Sequence, residues 1–184
     1  MKKLSRRARI ATGGAVLAAV AAGTFGTVSA NASSPASTGA APVASVKGGG
    51  TVTSTHLSID AATKGAQAAL DAAEKENQKV TVAVVDRNGN TLVTLRGDGA
   101  GPQSYESAER KAYTAVSWNA PTSELAKRLA QTPNLKDIPG TLFLAGGAPV
   151  DVKGAPVAAI GVAGAPSGDL DEKFAAAGVA ALGH

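Results

Sequence analysis

VTVAVVDRNGNTLVTLRGDGAGPQSYESAERKAYTAVSW, residues Val80–Trp118, decides how this chain folds. VTVAVVD and TLVTLRG are rich in β-branched residues and flank Arg87-Asn88-Gly89-Asn90. Asn-Gly tolerates the positive φ angles of a tight turn, so the two runs read as a hairpin. Gly97, Gly99, Gly101 and Pro102 then end the second strand. Ser104 is placed to cap a helix that carries Glu106, Glu109, Arg110, Lys111, Tyr113 and Thr114. Any chemistry is expected where that glycine-rich loop meets that helix.

Upstream, Ser58 opens a helix with Ile59, Ala62, Ala66, Ala69, Leu70 and Ala73 on one face. The small size of alanine lets such a face approach a sheet closely. Downstream, Pro121 stops the chain and Thr122 or Ser123 restarts it as a helix, ELAKRLAQ. Pro133 and Pro139 bracket a loop, and Thr141–Ala145 and Pro156–Ala163 read as two further strands joined through Gly146, Gly147, Pro149 and Gly154. A last helix is expected over Asp169–Leu182, with Asp169, Asp171 and Glu172 in its first turn, where the macrodipole favours acids. Strands joined by short turns pair antiparallel. The fold class is therefore α+β, an antiparallel sheet flanked by helices.

The formal charge of +4 misleads. Residues 1–32 hold Lys2, Lys3, Arg6, Arg7 and Arg9 and no acid; without those five of the 18 basic residues, 13 remain against 14 acidic ones. A nucleic-acid surface gets no support from that balance. The segment itself reads as a secretory signal: a basic start, the apolar run Ala15–Ala22, then small residues with Ala30-Asn31-Ala32, or next Val28-Ser29-Ala30, as the cleavage site. Ser5-Arg6-Arg7 points to the twin-arginine route. The apolar run is too short for a spanning helix, which needs about 20 apolar residues. Residues 33–54, rich in Ser, Thr, Ala, Pro and Gly, read as a flexible linker, and 55–184 as one domain of roughly 130 residues. The chain has no cysteine, and Met1, its one methionine, leaves with the signal. Thiolate and thioether ligands are thereby excluded, and packing alone must hold an exported domain.

AVVDRNGNTLVTLRGDGA followed by SAERKAYTAVSWNAPTSELA resembles the GlcG/HbpS (DUF336-type) family of small haem-associated proteins. IPGTLFLAGGAPV and GAPVAAIGVAGAPSGDLDEKFAAAGVAAL fit that family's second half, so the likeness runs from about Thr55 to His184. The resemblance implies a profilin-like domain and haem and iron as cofactors. It further implies a membrane sensor histidine kinase of a two-component system as partner, and a homo-oligomer, an octamer. Together with the signal it implies a secreted protein, extracellular or associated with the cell wall, that senses or buffers haem. Two alternatives stay open: an enzyme that degrades haem or uses it peroxidatively, and an oligomeric scaffold whose haem binding is incidental.

Several residues could carry that chemistry. Glu106 and Glu109 stand three apart on one helix face, where two carboxylates can reach one hard cation such as ferric iron; Asp71 and Glu74 repeat the arrangement on the first helix. Either pair could equally be a solvated acidic face. Tyr105 and Tyr113 offer phenol oxygens, and a phenolate ligates ferric haem. The resemblance runs through Lys111-Ala112-Tyr113-Thr114-Ala115, which makes Thr114 a candidate ligand as well, with Arg110 and Lys111 able to attract propionates. His56 and His184 are the only histidines, one at each edge of the domain. The loop Gly97-Asp98-Gly99-Ala100-Gly101 fits neither GxGxxG nor GxxxxGK[ST], and Pro166-Ser167-Gly168 lacks GxSxG, so nucleotide binding and a hydrolase triad find no support.

Overall fold

The computed structural model describes residues 44–46 and 48–183. The proposed signal, its cleavage site, linker residues 33–43 and 47, and His184 lie outside the described residues. Elements follow as α1 (Ile59–Lys75), β1 (Thr81–Asp86), β2 (Thr91–Arg96), α2 (Gln103–Trp118), α3 (Thr122–Arg128), a 3-10 turn (Pro133–Asp137), β3 (Gly147–Val152), β4 (Ala155–Ala163), α4 (Gly168–Ala180) and a closing 3-10 turn (Ala181–Gly183). No helix among the described residues is long and apolar enough to cross a membrane.

The four strands form one antiparallel sheet in the order β2-β1-β4-β3. β1 is buried at all six positions, because helices cover both of its faces. Val82 and Val84 point with Ile160 and Val162 of β4 into the larger core, against Ala62, Ala66 and Ala69 of α1 and Phe174 of α4. Ala83 and Val85 point the other way, against Ala108, Ala112 and Ala115 of α2. The alanine face of α1 meets α4 as well as the sheet: a methyl added at Gly178 would come within 2.6 Å of the Gly65 carbonyl oxygen.

Gly161 sets the distance between α2 and the sheet. A Cβ there would press on the Ala108 carbonyl oxygen and stand 2.5 Å from the Ala112 amide nitrogen. Only a residue without a side chain admits the α2 backbone so close to β4.

The structure corrects four local expectations. The β1–β2 turn is wider than a two-residue hairpin: only Gly89 has positive φ, at 86°. Its amide donates to the Asp86 carbonyl at 3.0 Å, and the Asp86 amide donates to the Asn90 carbonyl at 2.8 Å. Ser104 does not cap α2 but lies inside its first turn, where its hydroxyl bonds Thr81 Oγ1 at 2.7 Å and donates to the Gly101 carbonyl at 2.5 Å. Thr141–Ala145 is not a strand; the strand begins at Gly147, and Phe143 instead buries its ring edge-on against Trp118, 5.2 Å between centroids. The turn from β3 to β4 is Lys153-Gly154, both at positive φ (54° and 79°), the type that suits a two-residue hairpin.

Glu172 of α4 fastens α3, which has no capping side chain of its own. Its carboxylate accepts the Ser123 amide at 2.9 Å, the Gly146 amide at 3.2 Å and the Ser123 hydroxyl. One acid thus ties α3 and the approach to β3 to α4.

Candidate functional site: the outer face of α2

α2 turns its alanines to the sheet and exposes Tyr105, Glu106 and Arg110 on its outer face. Tyr113 sits on the border between them, half-buried against the Val85, Ala112, Ala115 and Val116 cluster. Its ring is held between two turns. A Cβ at Gly89 would stand 2.8 Å from Tyr113 Cε2, and one at Gly140 would stand 3.6 Å from Cε1. Gly89 is therefore required twice, for its positive φ and for the space the ring occupies. Around the ring lies a shallow depression of about 180 Å³, bounded by Val85, Gly89, Glu109, Arg110, Tyr113 and Gly140.

Of the acids expected as an iron pair, Glu109 lines it and Glu106 reaches it only through Arg110. Glu106 is exposed and its Oε1 lies 2.5 Å from Arg110 Nη2; Glu109 is half-buried and accepts from Thr94 Oγ1 at 3.3 Å. Asp71 and Glu74 are exposed on α1, away from this face, with Asp71 accepting from Gln67 at 2.7 Å. Among the described residues no three His, Cys, Asp or Glu side chains converge as a metal cluster.

Two α2 residues do not reach this face. Thr114 is fully buried: its hydroxyl donates to the Arg110 carbonyl at 2.7 Å and accepts the Leu142 amide at 2.7 Å. Both of its roles are filled by backbone, so it ties α2 to the 138–146 loop and is not a free donor. Lys111 is also buried, and its Nζ donates to Asp171 Oδ2 at 2.7 Å and to the Val162 carbonyl at 3.0 Å. It cannot attract a propionate from the surface.

That Lys111–Asp171 pair was not legible from the spacing of the two residues. Burial pushes the Asp171 carboxyl up from its ordinary range, while Lys111 and the Ala165 and Gly164 amides pull it back. The pair lies beneath a depression of about 400 Å³ near the start of α4, walled by Leu144, Ala145, Ala165 and Pro166.

His56 is exposed and bonds Ser54 Oγ at 2.7 Å. Its charge also reaches Asp86 at the β1–β2 turn. Burial works against ionisation of Asp86, but hydrogen bonds from the Asn90 amide, the Asn90 side chain and the Asn88 amide outweigh it and hold the carboxyl below its ordinary value. Tyr105, by contrast, stands exposed in the first turn of α2.

Residues 57–180 match the family described as "Haem degrading protein HbpS-like". The chain belongs to the HbpS-like family. A crystal structure of a double mutant of HbpS from Streptomyces reticuli, in which two glutamates three positions apart are aspartates, is 77% identical with a TM-score of 0.76, covering 79% of this chain and 99% of that one. The crystal structure of a PduOC:heme complex is 26% identical, TM-score 0.63, over 69% of this chain and 95% of that chain. A 15.0 kDa protein from the dhaT-dhaS intergenic region of Citrobacter freundii is 34% identical over 113 residues, 59% of this chain and 80% of that protein.

Proposed function

We propose that this protein binds haem and iron outside the cell, as a sensor or buffer, with the outer face of α2 as the haem seat. The observation that carries the reading is Tyr113: a phenol on a polar helix face, steadied between Gly89 and Gly140, with the Arg110 cation beside it. The family description and the PduOC:heme relative support haem as the ligand.

The residues fit such a group as an open seat. Pockets that enclose a small molecule run to roughly 300–1,000 Å³, and this depression holds only about 180 Å³. A porphyrin would lie on the face, or between this face and a second copy, and would exchange readily. Tyr113 would supply an oxygen ligand and Arg110 a partner for an anionic carboxylate. Bound haem would supply the ferric iron and its redox chemistry. Glu106 and Glu109 are this chain's one Glu-x-x-Glu pair, and the HbpS double mutant carries aspartates at two glutamates of the same spacing. Asp71 and Glu74 are the weaker choice, since Asp71 is already held by Gln67.

Export through the N-terminal signal, assembly into an octamer and control of a sensor kinase belong to the same reading. The first has a direct check: N-terminal sequencing of the exported protein should start at Ser33, and an intact residue 1 on a membrane-bound product would remove the secreted part.

The second reading, a haem-degrading enzyme, is favoured by the wording of the family description. Incubation with haemin, a reductant and oxygen separates the two. Binding predicts a stable, stoichiometric haem spectrum; bleaching with release of iron and an open tetrapyrrole would establish the enzyme. In parallel, Glu106→Ala with Glu109→Ala should weaken ferric iron binding and leave the fold intact. Unchanged iron affinity would return both acids to ordinary surface charge.

A further inference from the structure

The cation beside Tyr113 already has a carboxylate. Glu106 and Arg110 stand one helical turn apart on α2, with Glu106 Oε1 2.5 Å from Arg110 Nη2 and both side chains open to water. Arg110 also bounds the depression around Tyr113, so the guanidinium that would receive a haem carboxylate is the one Glu106 holds. Among the basic groups of α2, Lys111 cannot take its place, because it is buried and bonded to Asp171. We infer that Glu106 is an internal competitor for the Arg110 guanidinium, so that an anionic ligand is seated by exchanging one carboxylate for another. This rests on the reading that haem sits at the Tyr113 face.

Exchange has two measurable consequences. First, the carboxylate that must be displaced weakens haem binding. Exposed ion pairs are individually weak, so removing Glu106 should tighten binding only about twofold to fivefold. Second, exchange leaves the number of exposed ion pairs unchanged, so haem affinity should depend little on ionic strength. Without Glu106, binding creates an ion pair that salt can screen, and the dependence should steepen.

Haemin titrations of the full chain and of Glu106→Gln, Arg110→Ala and the double variant, each at low and high salt, test this. Competition predicts tighter, more salt-sensitive binding for Glu106→Gln and weaker binding for Arg110→Ala. In the Arg110→Ala background, Glu106→Gln should then change nothing. If Arg110→Ala weakens binding while Glu106→Gln does not tighten it, the competition is wrong and the haem seat stands. Equal tightening in both backgrounds would show plain charge repulsion and would also overturn the competition. No effect of Arg110→Ala or of Tyr113→Phe would mean that the seat itself lies elsewhere.

Discussion

Gly161→Ala is expected to destabilise the domain by about 3 kcal/mol, the upper end of the usual cost of overpacking. The new methyl would meet backbone and not a movable side chain: the Ala108 carbonyl oxygen, the Ala112 amide nitrogen at 2.5 Å and Ala112 Cβ at 3.0 Å. α2 cannot back away cheaply. Ala108, Ala112 and Ala115 are fully buried along the same face, and retreat would open a gap over β1 and β4 together. A domain is typically stable by only about 5–15 kcal/mol, so Gly161→Val should leave little folded protein. Urea unfolding of Gly161→Ala checks the magnitude, with Gly183→Ala as the control, since a methyl there meets nothing within 4 Å. A Gly161→Ala midpoint equal to wild type would show that α2 and β4 do not pack as closely as described.

Asp171→Ala should cost about 3–5 kcal/mol, because it strands the Lys111 ammonium without its counter-charge. The two side chains are only 5–6% exposed, so water cannot take over the solvation. Replacing both partners is expected to be much milder. Lys111→Met with Asp171→Asn removes the buried charge altogether, and the amide oxygen can still accept from the Ala165 amide, as Asp171 does at 3.0 Å. Recovery of more than half the loss in the double variant, read from denaturant midpoints, would establish that the penalty is an unpaired charge. If Asp171→Ala costs under about 1 kcal/mol, the pair is not buried in solution.

The elements legible in the sequence were those whose local signals agreed with their final surroundings. Ser58 caps α1 as expected, its hydroxyl accepting the Ala61 amide at 3.2 Å; α4 starts one residue before the expected Asp169, and Ser167 caps it through the Leu170 amide. The β1–β2 hairpin stood out because Asn88-Gly89 separates two β-branched runs. β3 was hidden because Gly147, Ala148 and Pro149 read as a break, although tertiary packing demands the first of them: a Cβ at Gly147 would stand 2.5 Å from the Lys111 carbonyl oxygen. Pro149 is tolerated because β3 pairs on one side only, as an edge strand. Helical spacing paired Glu106 with Glu109 and put Arg110, Lys111, Tyr113 and Thr114 on the same helix as further candidates. What spacing could not show is which polar residues face inward. Lys111 and Thr114 find partners at Asp171 and Leu142, 60 and 28 residues away. Nor could it separate Asp171, which takes a buried lysine, from its neighbour Asp169, for which the helix dipole is reason enough.

The measurement that bears most directly on the haem seat is a haemin titration of the full chain followed by absorbance, beside Tyr113→Phe and His56→Ala. Removing one oxygen from Tyr113 leaves the ring packed between Gly89 and Gly140, so the fold should not change. Stoichiometric ferric binding by wild type and His56→Ala, with binding lost or shifted to a weaker, spectrally distinct complex in Tyr113→Phe, is the predicted result. Full binding by Tyr113→Phe and loss in His56→Ala would contradict it and move the haem to the edge of the domain.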